Sequence, residues 1–352
     1  MSSGPPVFGQ VSAVADAILY EGYLLYPYRR SSAKNKVRWQ FGVLLPRGWA
    51  EAHGLRDTSV AGSAESWWQQ TECLVLAPGL DTVHVRLRFL QLQRRHVEKR
   101  AQDGVYHVAD RLAVDGREEF GFDEAVPREA DITASLADLL EAESVISVDL
   151  PAGRDVETLT QVGRVVRRRE AISATVRLSA QACGPRRGLL RLRVRVENAG
   201  RGLDPGADRE AALGRALLAT HTLLAVPGGS FVSMLDPPDW GRLAAHECRN
   251  VHTFPVLADC GTSVMLSSPV ILYDHPQVAP ESPGSLHDAT EIDEILSLRT
   301  LTLTEQEKAE ARATDPRAAA IVDRVDAMPP EGFGRLHGAI RSRKPAIPSE
   351  ED

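Results

Sequence analysis

The sequence contains few cysteines and very little lysine. Four cysteines in 352 residues are too few for a disulfide framework, which is typical of a cytoplasmic protein with reduced thiols. Lysine occurs five times, so arginine supplies 36 of the 41 basic residues. The net charge of −7 argues against a protein that coats nucleic acid over its whole surface. The 43% of hydrophobic and 25% of charged residues are typical of an ordinary soluble globular protein.

Long apolar runs are also missing from the sequence. The longest candidate, residues 216–226, is interrupted by Thr220, His221 and Thr222, whereas about 20 apolar residues are needed to cross a bilayer. The first basic residue is Arg29, so the N-terminus lacks the positive segment of a secretory signal. We therefore expect no membrane span and a cytoplasmic location.

Established catalytic signatures do not occur in the sequence. There is no nucleotide-binding P-loop, no GxSxG elbow of a serine hydrolase, no GxGxxG after a predicted strand and no CxxC pair. This lowers the expectation of the common enzyme classes and leaves an enzyme with another arrangement open.

Alternating hydrophobicity predicts a core rich in β-strands. Residues 82–97 form the clearest strand, because Val85 and Leu87 alternate with Arg86 and Arg88. One apolar and one polar face are typical of an antiparallel sheet that packs on one side. Two helices are predicted at residues 131–143, with Asp131 as the cap, and at 208–218. Further strands are predicted at residues 18–25, 36–45, 71–77, 105–114, 174–182, 189–197, 230–235 and 263–273.

Helix signals begin near residue 288. Asp288 with Glu291 and Thr304 with Glu307 fit capping boxes, and the Asp-Pro pair at 315–316 is a strong helix start. We therefore predict an α+β fold: a large β-rich core of mainly antiparallel strands, for which a sandwich is one arrangement, followed by a C-terminal helical extension. The predicted units are residues 1–286 for the core, 287–344 for the helical extension and 345–352 for a flexible tail.

One cluster of metal-ligand residues occurs in the stretch HECRNVHTFPVLADC. It contains His246, Cys248, His252 and Cys260, and imidazole nitrogen and thiolate sulfur are the usual ligands of tetrahedral zinc. The spacing matches no zinc finger, and the second histidine lies six residues after the first rather than four, which excludes HExxH. We expect a polar loop without a cofactor; the alternative is that these four residues hold zinc or nickel.

A second cluster follows the last predicted strand. Asp274 and His275, with Glu281, His287 and Asp288 further on, could form an acid–base pair or a site for a hard metal. Prolines at three positions of the same segment predict a stiff, extended chain. The segment is therefore interpreted first as a rigid linker to the helices and second as a candidate catalytic site.

Charge is concentrated in two opposite blocks. Residues 103–157 carry 15 acidic residues and four arginines, whereas residues 164–201 carry 11 arginines and two acidic residues. Guanidinium groups suit phosphate and carboxylate equally well, so the arginines could bind RNA or pair with the acidic block. We predict pairing within the chain and no nucleic acid partner. The stretch YPYRRSSAKNKVRWQF combines aromatic and basic residues, which can stack on nucleic acid bases. The interpretation preferred here is a basic loop that leads into a strand and binds no ligand.

Two long stretches carry a family resemblance. Residues 18–44 (ILYEGYLLYPYRRSSAKNKVRWQFGVL) and residues 267–326 (beginning SSPVILYDHPQVAPESPG) resemble an uncharacterised protein family found in actinobacterial gene clusters for nickel–iron hydrogenases. The resemblance implies a cytoplasmic accessory, maturation or assembly role, with hydrogenase subunits or maturation factors as partners. It implies no activity and no catalytic residues.

Three functions follow as hypotheses. The first is a non-enzymatic accessory or assembly protein that acts through protein–protein contacts, for which an amphipathic helical extension is suited. The second is a metal-binding maturation factor that uses the histidine and cysteine cluster. The third is an unrecognised enzyme with Asp274 and His275 in its site.

Overall fold

The structure is a computed structural model, and it describes residues 6–32, 38–79, 82–114, 117–159, 161–184, 186–259, 261–278 and 293–329. Fifteen strands are described: β1 (Trp68–Leu76), β2 (Thr82–Arg100), β3 (Tyr106–Ala109), β4 (Arg111–Val114), β5 (Arg117–Phe120), β6 (Phe122–Ser135), β7 (Ser144–Leu150), β8 (Gly153–Leu159), β9 (Gly163–Arg169), β10 (Ile172–Ala182), β11 (Leu189–Asn198), β12 (Leu218–Ala225), β13 (Ser230–Phe231), β14 (Phe254–Leu257) and β15 (Val264–Ser268).

Short helices precede, interrupt and follow the strands. A 3-10 turn over Pro6–Val11 leads into the first α-helix. The α-helices of the described residues are α1 (Ser12–Leu19), α2 (Arg47–Ala52), α3 (Leu136–Glu141), α4 (Arg209–Leu213), α5 (Arg242–His246), α6 (Asp293–Leu301), α7 (Glu305–Thr314) and α8 (Pro316–Asp326). Within the described ranges, no helix combines the length and the apolar character that a membrane crossing requires.

Two antiparallel sheets pack face to face. The smaller sheet has the order β13-β1-β11-β10-β7, and the larger one has the order β14-β15-β12-β2-β9-β8, with β3 and β6 also paired to β2. Apolar side chains from both sheets meet in one core, among them Val85, Leu87 and Phe89 of β2 and Val176 and Leu192 of the smaller sheet. The prediction of a β-rich α+β fold with C-terminal helices is therefore confirmed, and its core is a sandwich.

Part of the outer face of the larger sheet, around Arg88 of β2, is covered rather than open to water, whereas Glu129 and Asp131 of β6 on the same face are exposed. Helix α1 packs there, and Arg88 is only 6% exposed, paired with Asp16 at 2.5 Å and with Glu129 at 2.7 Å. The expectation that this sheet packs on one side only is therefore wrong for the part that α1 covers. Alternation of apolar and charged residues cannot distinguish solvent from a covering layer that supplies carboxylates.

The C-terminal helices share a second core with the N-terminal segment. Thr304 and Glu307 form the predicted capping box, and helix α8 begins at the predicted Asp-Pro pair. The described residues of this core are fully or almost fully buried and include Tyr23, Leu24, Tyr28, Trp39, Leu90, Leu92, Ile321, Val322 and Val325. The predicted cap at Asp288 and the tail at 345–352 lie outside the described residues, and the predicted unit boundaries stay predictions.

Several local predictions are wrong. Residues 18–25 lie in the end of α1 and in turns, and the described part of residues 36–45 contributes only two isolated bridges of Leu44, to Ser66 and to Leu217. Their aromatic and aliphatic side chains pack between elements instead of lining a sheet. Helix α3 is capped by Ser135 and not by Asp131, because residues 131–135 extend the pairing of β6 with β2 to 14 residue pairs. Tertiary pairing overrides the local helix pattern there.

Candidate functional site

A cleft of about 870 Å³ lies where the sandwich meets the C-terminal helices. Its floor comes from the ends of β2, β6 and β9, and its walls come from the β4–β5 hairpin on one side and α7 on the other. The elements that form it are far apart in the chain. None of the sequence patterns described above predicts this cleft.

Helix α7 presents a small and polar face to the cleft. Gln306, Ala309, Glu310 and Ala313 recur at helical spacing and line it, while Ala311 on the other side is fully buried. The capping box fixes the start of the helix. Three ion pairs then join α7 to α8: the Lys308 ammonium lies 2.7 Å from Asp326, and the Arg312 guanidinium lies 2.7 Å from Asp323 and 2.7 Å from Asp326. These contacts hold the orientation of the cleft wall.

The floor of the cleft is a network of arginines and carboxylates. Arg95 and Arg167 are neighbours across β2 and β9, so their guanidinium groups would repel each other. Glu124 of β6 offsets this, with an oxygen 3.5 Å from Arg95 and the other 3.1 Å from Arg167. Arg95 also pairs with Glu119, and Arg167 donates to Glu157 at 2.8 Å. Burial acts to lower the pKa of Arg167, but the bonds to Glu157 and Glu124 outweigh it and raise that pKa.

Arg30 is the exception in this balance of charges. Its guanidinium lies 4.0 Å above the Phe120 ring and donates to the Gly121 carbonyl at 3.4 Å, and its backbone N–H donates to Thr314 at 3.2 Å. Among the described residues it forms no ion pair. Arg30 also lines a second cleft, of about 660 Å³, and is therefore shared by the two clefts.

The second cleft contains another guanidinium without an ion pair in the described part of the chain. Arg38 is 5% exposed and donates to the carbonyls of Tyr23 at 3.3 Å and Asp123 at 2.6 Å. Its guanidinium lies 4.1 Å from the Phe122 ring and 4.8 Å from the Trp39 ring. Burial lowers the pKa of the Arg38 guanidinium. Burial also raises the pKa of the Asp123 carboxyl, although the nearby charge of Arg38 acts to lower it. Both shifts reflect charges that are poorly solvated.

The arrangement of the larger cleft suits binding of a charged group. Its described lining contains no histidine or cysteine. Glu310 accepts from the Ser31 N–H at 3.2 Å, and Asp315 accepts from the Tyr23 hydroxyl at 2.9 Å. These carboxylates are engaged by protein donors, whereas Arg30 retains donors that a ligand can use.

The structure places the predicted metal ligands in different surroundings. His246 is exposed at the end of α5. Cys248 is half-buried, its thiol lies 3.4 Å from the Ala244 carbonyl oxygen, and burial raises the pKa of that thiol to about 11. Cys260 lies outside the described residues.

His252 is engaged in the interior of the protein. It is 1% exposed and adopts a left-handed backbone conformation with φ of 57°. Its ring nitrogens lie 3.1 Å from the Ala61 carbonyl oxygen and 3.0 Å from that of Asp57. The described residues contain no group of three or more histidine, cysteine, aspartate or glutamate side chains placed to hold a metal. The zinc or nickel hypothesis stays a prediction.

Asp274 and His275 make local contacts in the structure. Asp274 accepts from the Ser233 hydroxyl at 2.5 Å and from the Leu257 N–H at 2.8 Å. The His275 ring contacts the Asp259 carbonyl oxygen, and its backbone N–H donates to Leu257 at 2.7 Å. These contacts hold the segment that follows β15 against strand β14. The remaining members of the predicted cluster, Glu281, His287 and Asp288, lie outside the described residues.

The arginine block pairs extensively with carboxylates of the chain. The acidic strand β8 lies beside the arginine-rich strand β9, where Asp155 and Arg169 are 2.6 Å apart. Arg177 pairs with Glu143 at 2.9 Å, and Arg193 pairs with Glu72 at 2.6 Å. The predicted internal pairing of the two charge blocks is therefore observed.

Comparisons with known proteins add no assignment. No known protein family matches the chain, and no curated protein matches it either.

Proposed function

We propose that the protein is a non-enzymatic accessory or assembly protein, and that the larger cleft receives an acidic segment of a protein partner. The observation that carries this proposal is Arg30: a guanidinium stacked on Phe120 at the cleft, with no ion pair among the described residues. A carboxylate is the natural ligand of such a group, because a guanidinium fork binds it through two parallel hydrogen bonds.

The walls of the cleft support a peptide rather than a compact ion. The volume of about 870 Å³ is large enough for several residues, and Ala309 and Ala313 leave room for a backbone to approach α7. The polar side chain of Gln306 can accept from or donate to that backbone. The ligand expected here is an extended segment with a carboxylate at the position facing Arg30.

The family resemblance supplies the candidate partners and the compartment. It supports subunits or maturation factors of a nickel–iron hydrogenase as the proteins that carry the acidic segment. A cytoplasmic location, where such assembly takes place, belongs to the same proposal. Cell fractionation with an antibody against the chain tests the location independently of partner binding.

The binding test uses point variants of the full chain. Removing the C-terminal helices would be unsuitable, because Ile321 and Val322 are fully buried in the core shared with the N-terminal segment. Arg30→Ala removes the cleft cation. Arg186→Ala is the matched control, because Arg186 also stacks on an aromatic ring, at 4.3 Å from Trp240, but does not line the cleft.

The measurement is co-purification with purified nickel–iron hydrogenase subunits and maturation factors, the candidate partners that the resemblance implies. We expect the wild type and Arg186→Ala to retain the partner and Arg30→Ala to lose at least about tenfold in affinity. Ala313→Trp, which fills the cleft, should also abolish binding, whereas Ala320→Trp on the exposed face of α8 should not. Binding that is equal in all four variants, or no binding by the wild type, would refute the proposal.

A further inference from the structure

Strand β7 forms an open edge of the smaller sheet. It pairs with β10 over seven residues on one side, and the described residues contain no strand on its other side. An edge of this kind presents a row of unpaired backbone N–H and C=O groups. These groups can pair with another extended strand.

The edge also leaves apolar surface uncovered. Ile146 and Val148 face the sandwich core but are only partly buried, whereas Val176 and Ala174, their partners in β10, are 0% exposed. On the outer face, Val145 is 53% exposed. A further strand beside β7 would cover both surfaces.

Other edges in the described part of the chain carry features that discourage such pairing. The sequence of β8 includes Arg154, Asp155 and Glu157, and β6 contains Pro127. Strand β14 contains a proline, and β13 has only two residues. In contrast, β7 (SVISVDL) is a seven-residue strand without proline or lysine and with a single charge. Charged residues, prolines and short strands are the usual protection of sheet edges, and β7 has little of it.

We propose that β7 pairs with β7 of a second copy of this chain in antiparallel orientation, about a two-fold axis at Ser147, to form a continuous sheet across a homodimer. Successive residues of a strand face opposite sides of the sheet. The inner faces of the two copies therefore join only if each pair consists of two even-numbered or two odd-numbered residues. Pairing centred on Ser147 satisfies this condition and uses all seven residues of the strand. It also sets Ile146 against Val148 of the second copy, which extends the apolar inner face.

The charges of the strand fit this register. Asp149, the only charged residue of β7, lies opposite Val145 of the second copy. The two copies of Asp149 are separated by four residues along the strand direction, about 14 Å, which exceeds the screening length in physiological salt. The homodimer therefore brings no like charges face to face. This inference is independent of the cleft and of the partner proposed for it.

The first test measures the monomer–dimer equilibrium of the full chain by sedimentation equilibrium. Val145→Lys places an ammonium opposite Asp149 of the second copy, so the dimer should be retained or tightened. Val145→Glu places a carboxylate there, and the dimer should weaken about fivefold. A nonspecific apolar contact would weaken in both variants alike, and that result would overturn the proposal, as would a monomeric wild type.

The second test locates the axis. Ser147→Cys brings the two introduced thiols face to face, at a Cα separation that permits a disulfide, so oxidation with copper phenanthroline should yield a covalent dimer. Val145→Cys should not, because its two copies are about 14 Å apart along the strand. The wild type, oxidised in parallel, accounts for the native cysteines. Equal cross-linking of the two variants, or none with Ser147→Cys, would rule out the axis.

Discussion

The two halves of strand β2 have opposite surroundings on the same face of the sheet. Val85, Leu87 and Phe89 enter the apolar core of the sandwich. Further along, Gln93 and Arg95 continue the same alternation but enter the network of arginines and carboxylates at the cleft. One strand thus connects a region that stabilises the fold to a region whose charges are arranged for recognition. The two halves should therefore respond differently to substitution.

The largest expected effect is in the apolar half. Phe89→Ala removes a ring that is 0% exposed in the sandwich core and should lower the free energy of unfolding by about 3–5 kcal/mol. Urea denaturation followed by circular dichroism measures this change. Val105→Ala, at a position 51% exposed, is the control and should change the stability by less than about 0.5 kcal/mol. A loss below about 1 kcal/mol for Phe89→Ala would contradict the assignment of this half to the core.

The next largest effect is on the pH dependence of stability, and it comes from His221 of β12, which lies opposite Arg88 of β2. Burial, reinforced by the charge of Arg88, lowers the pKa of His221 from 6.5 to about 3, and its Nδ1 lies 2.8 Å from the Ala219 carbonyl oxygen. Because the folded pKa is the lower one, the unfolded chain takes up the proton first as the pH falls below about 6.5. The stability contributed by the neutral ring is therefore present above that pH and is lost toward about pH 3.

Between about pH 6.5 and pH 5 the loss should reach about 2 kcal/mol. His221→Gln should remove this pH dependence, so that the difference in stability between the variant and the wild type shifts by that amount. His107→Gln, at an exposed position, should leave the slope unchanged. Denaturation curves at the two pH values measure the free energy of unfolding at each. An equal change with pH in the wild type and in His221→Gln would show that the buried ring does not control acid stability.

The comparison also shows what the sequence could predict. The strand β2 and the starts of α7 and α8 were predictable because alternation, the Thr304 capping box and the Asp315 cap are local patterns. The cleft was not, because it joins Arg30 and Phe120 with α7, which are separated by long stretches of chain. The sequence pattern around Arg30 indicates a basic loop that leads into a strand, and it does not indicate a cleft. Alternation of apolar and polar residues along the sequence does not show which aromatic rings pack around a single guanidinium group in the folded protein.

Substitution in the charge network beside the polar half of β2 should separate stability from recognition. Glu124→Gln leaves Arg95 and Arg167 with less compensation, although Glu119 and Glu157 remain beside them. We expect the free energy of unfolding to fall by about 1–2 kcal/mol. The same change makes the cleft more positive, so binding of the acidic partner should become tighter, as measured by calorimetry. Phe89→Ala, where it still folds, should not tighten binding, and a joint fall of both quantities in Glu124→Gln would count against the proposed division of roles.

The smallest effect concerns the wall of the cleft. The Thr304 hydroxyl accepts from the Glu307 N–H at 3.3 Å, and the Glu307 carboxylate accepts from the Thr304 N–H at 2.9 Å. Thr304→Ala should cost about 1 kcal/mol of stability, whereas Thr304→Ser, which keeps the oxygen, should cost little. Because α7 carries Gln306 and Glu310 into the cleft, Thr304→Ala should also weaken partner binding, and Thr304→Ser should restore it. Fraying that lowers stability without changing binding would mean that the first turn of α7 is not part of the recognition surface, and the contact would then rest on Arg30 and the hairpin.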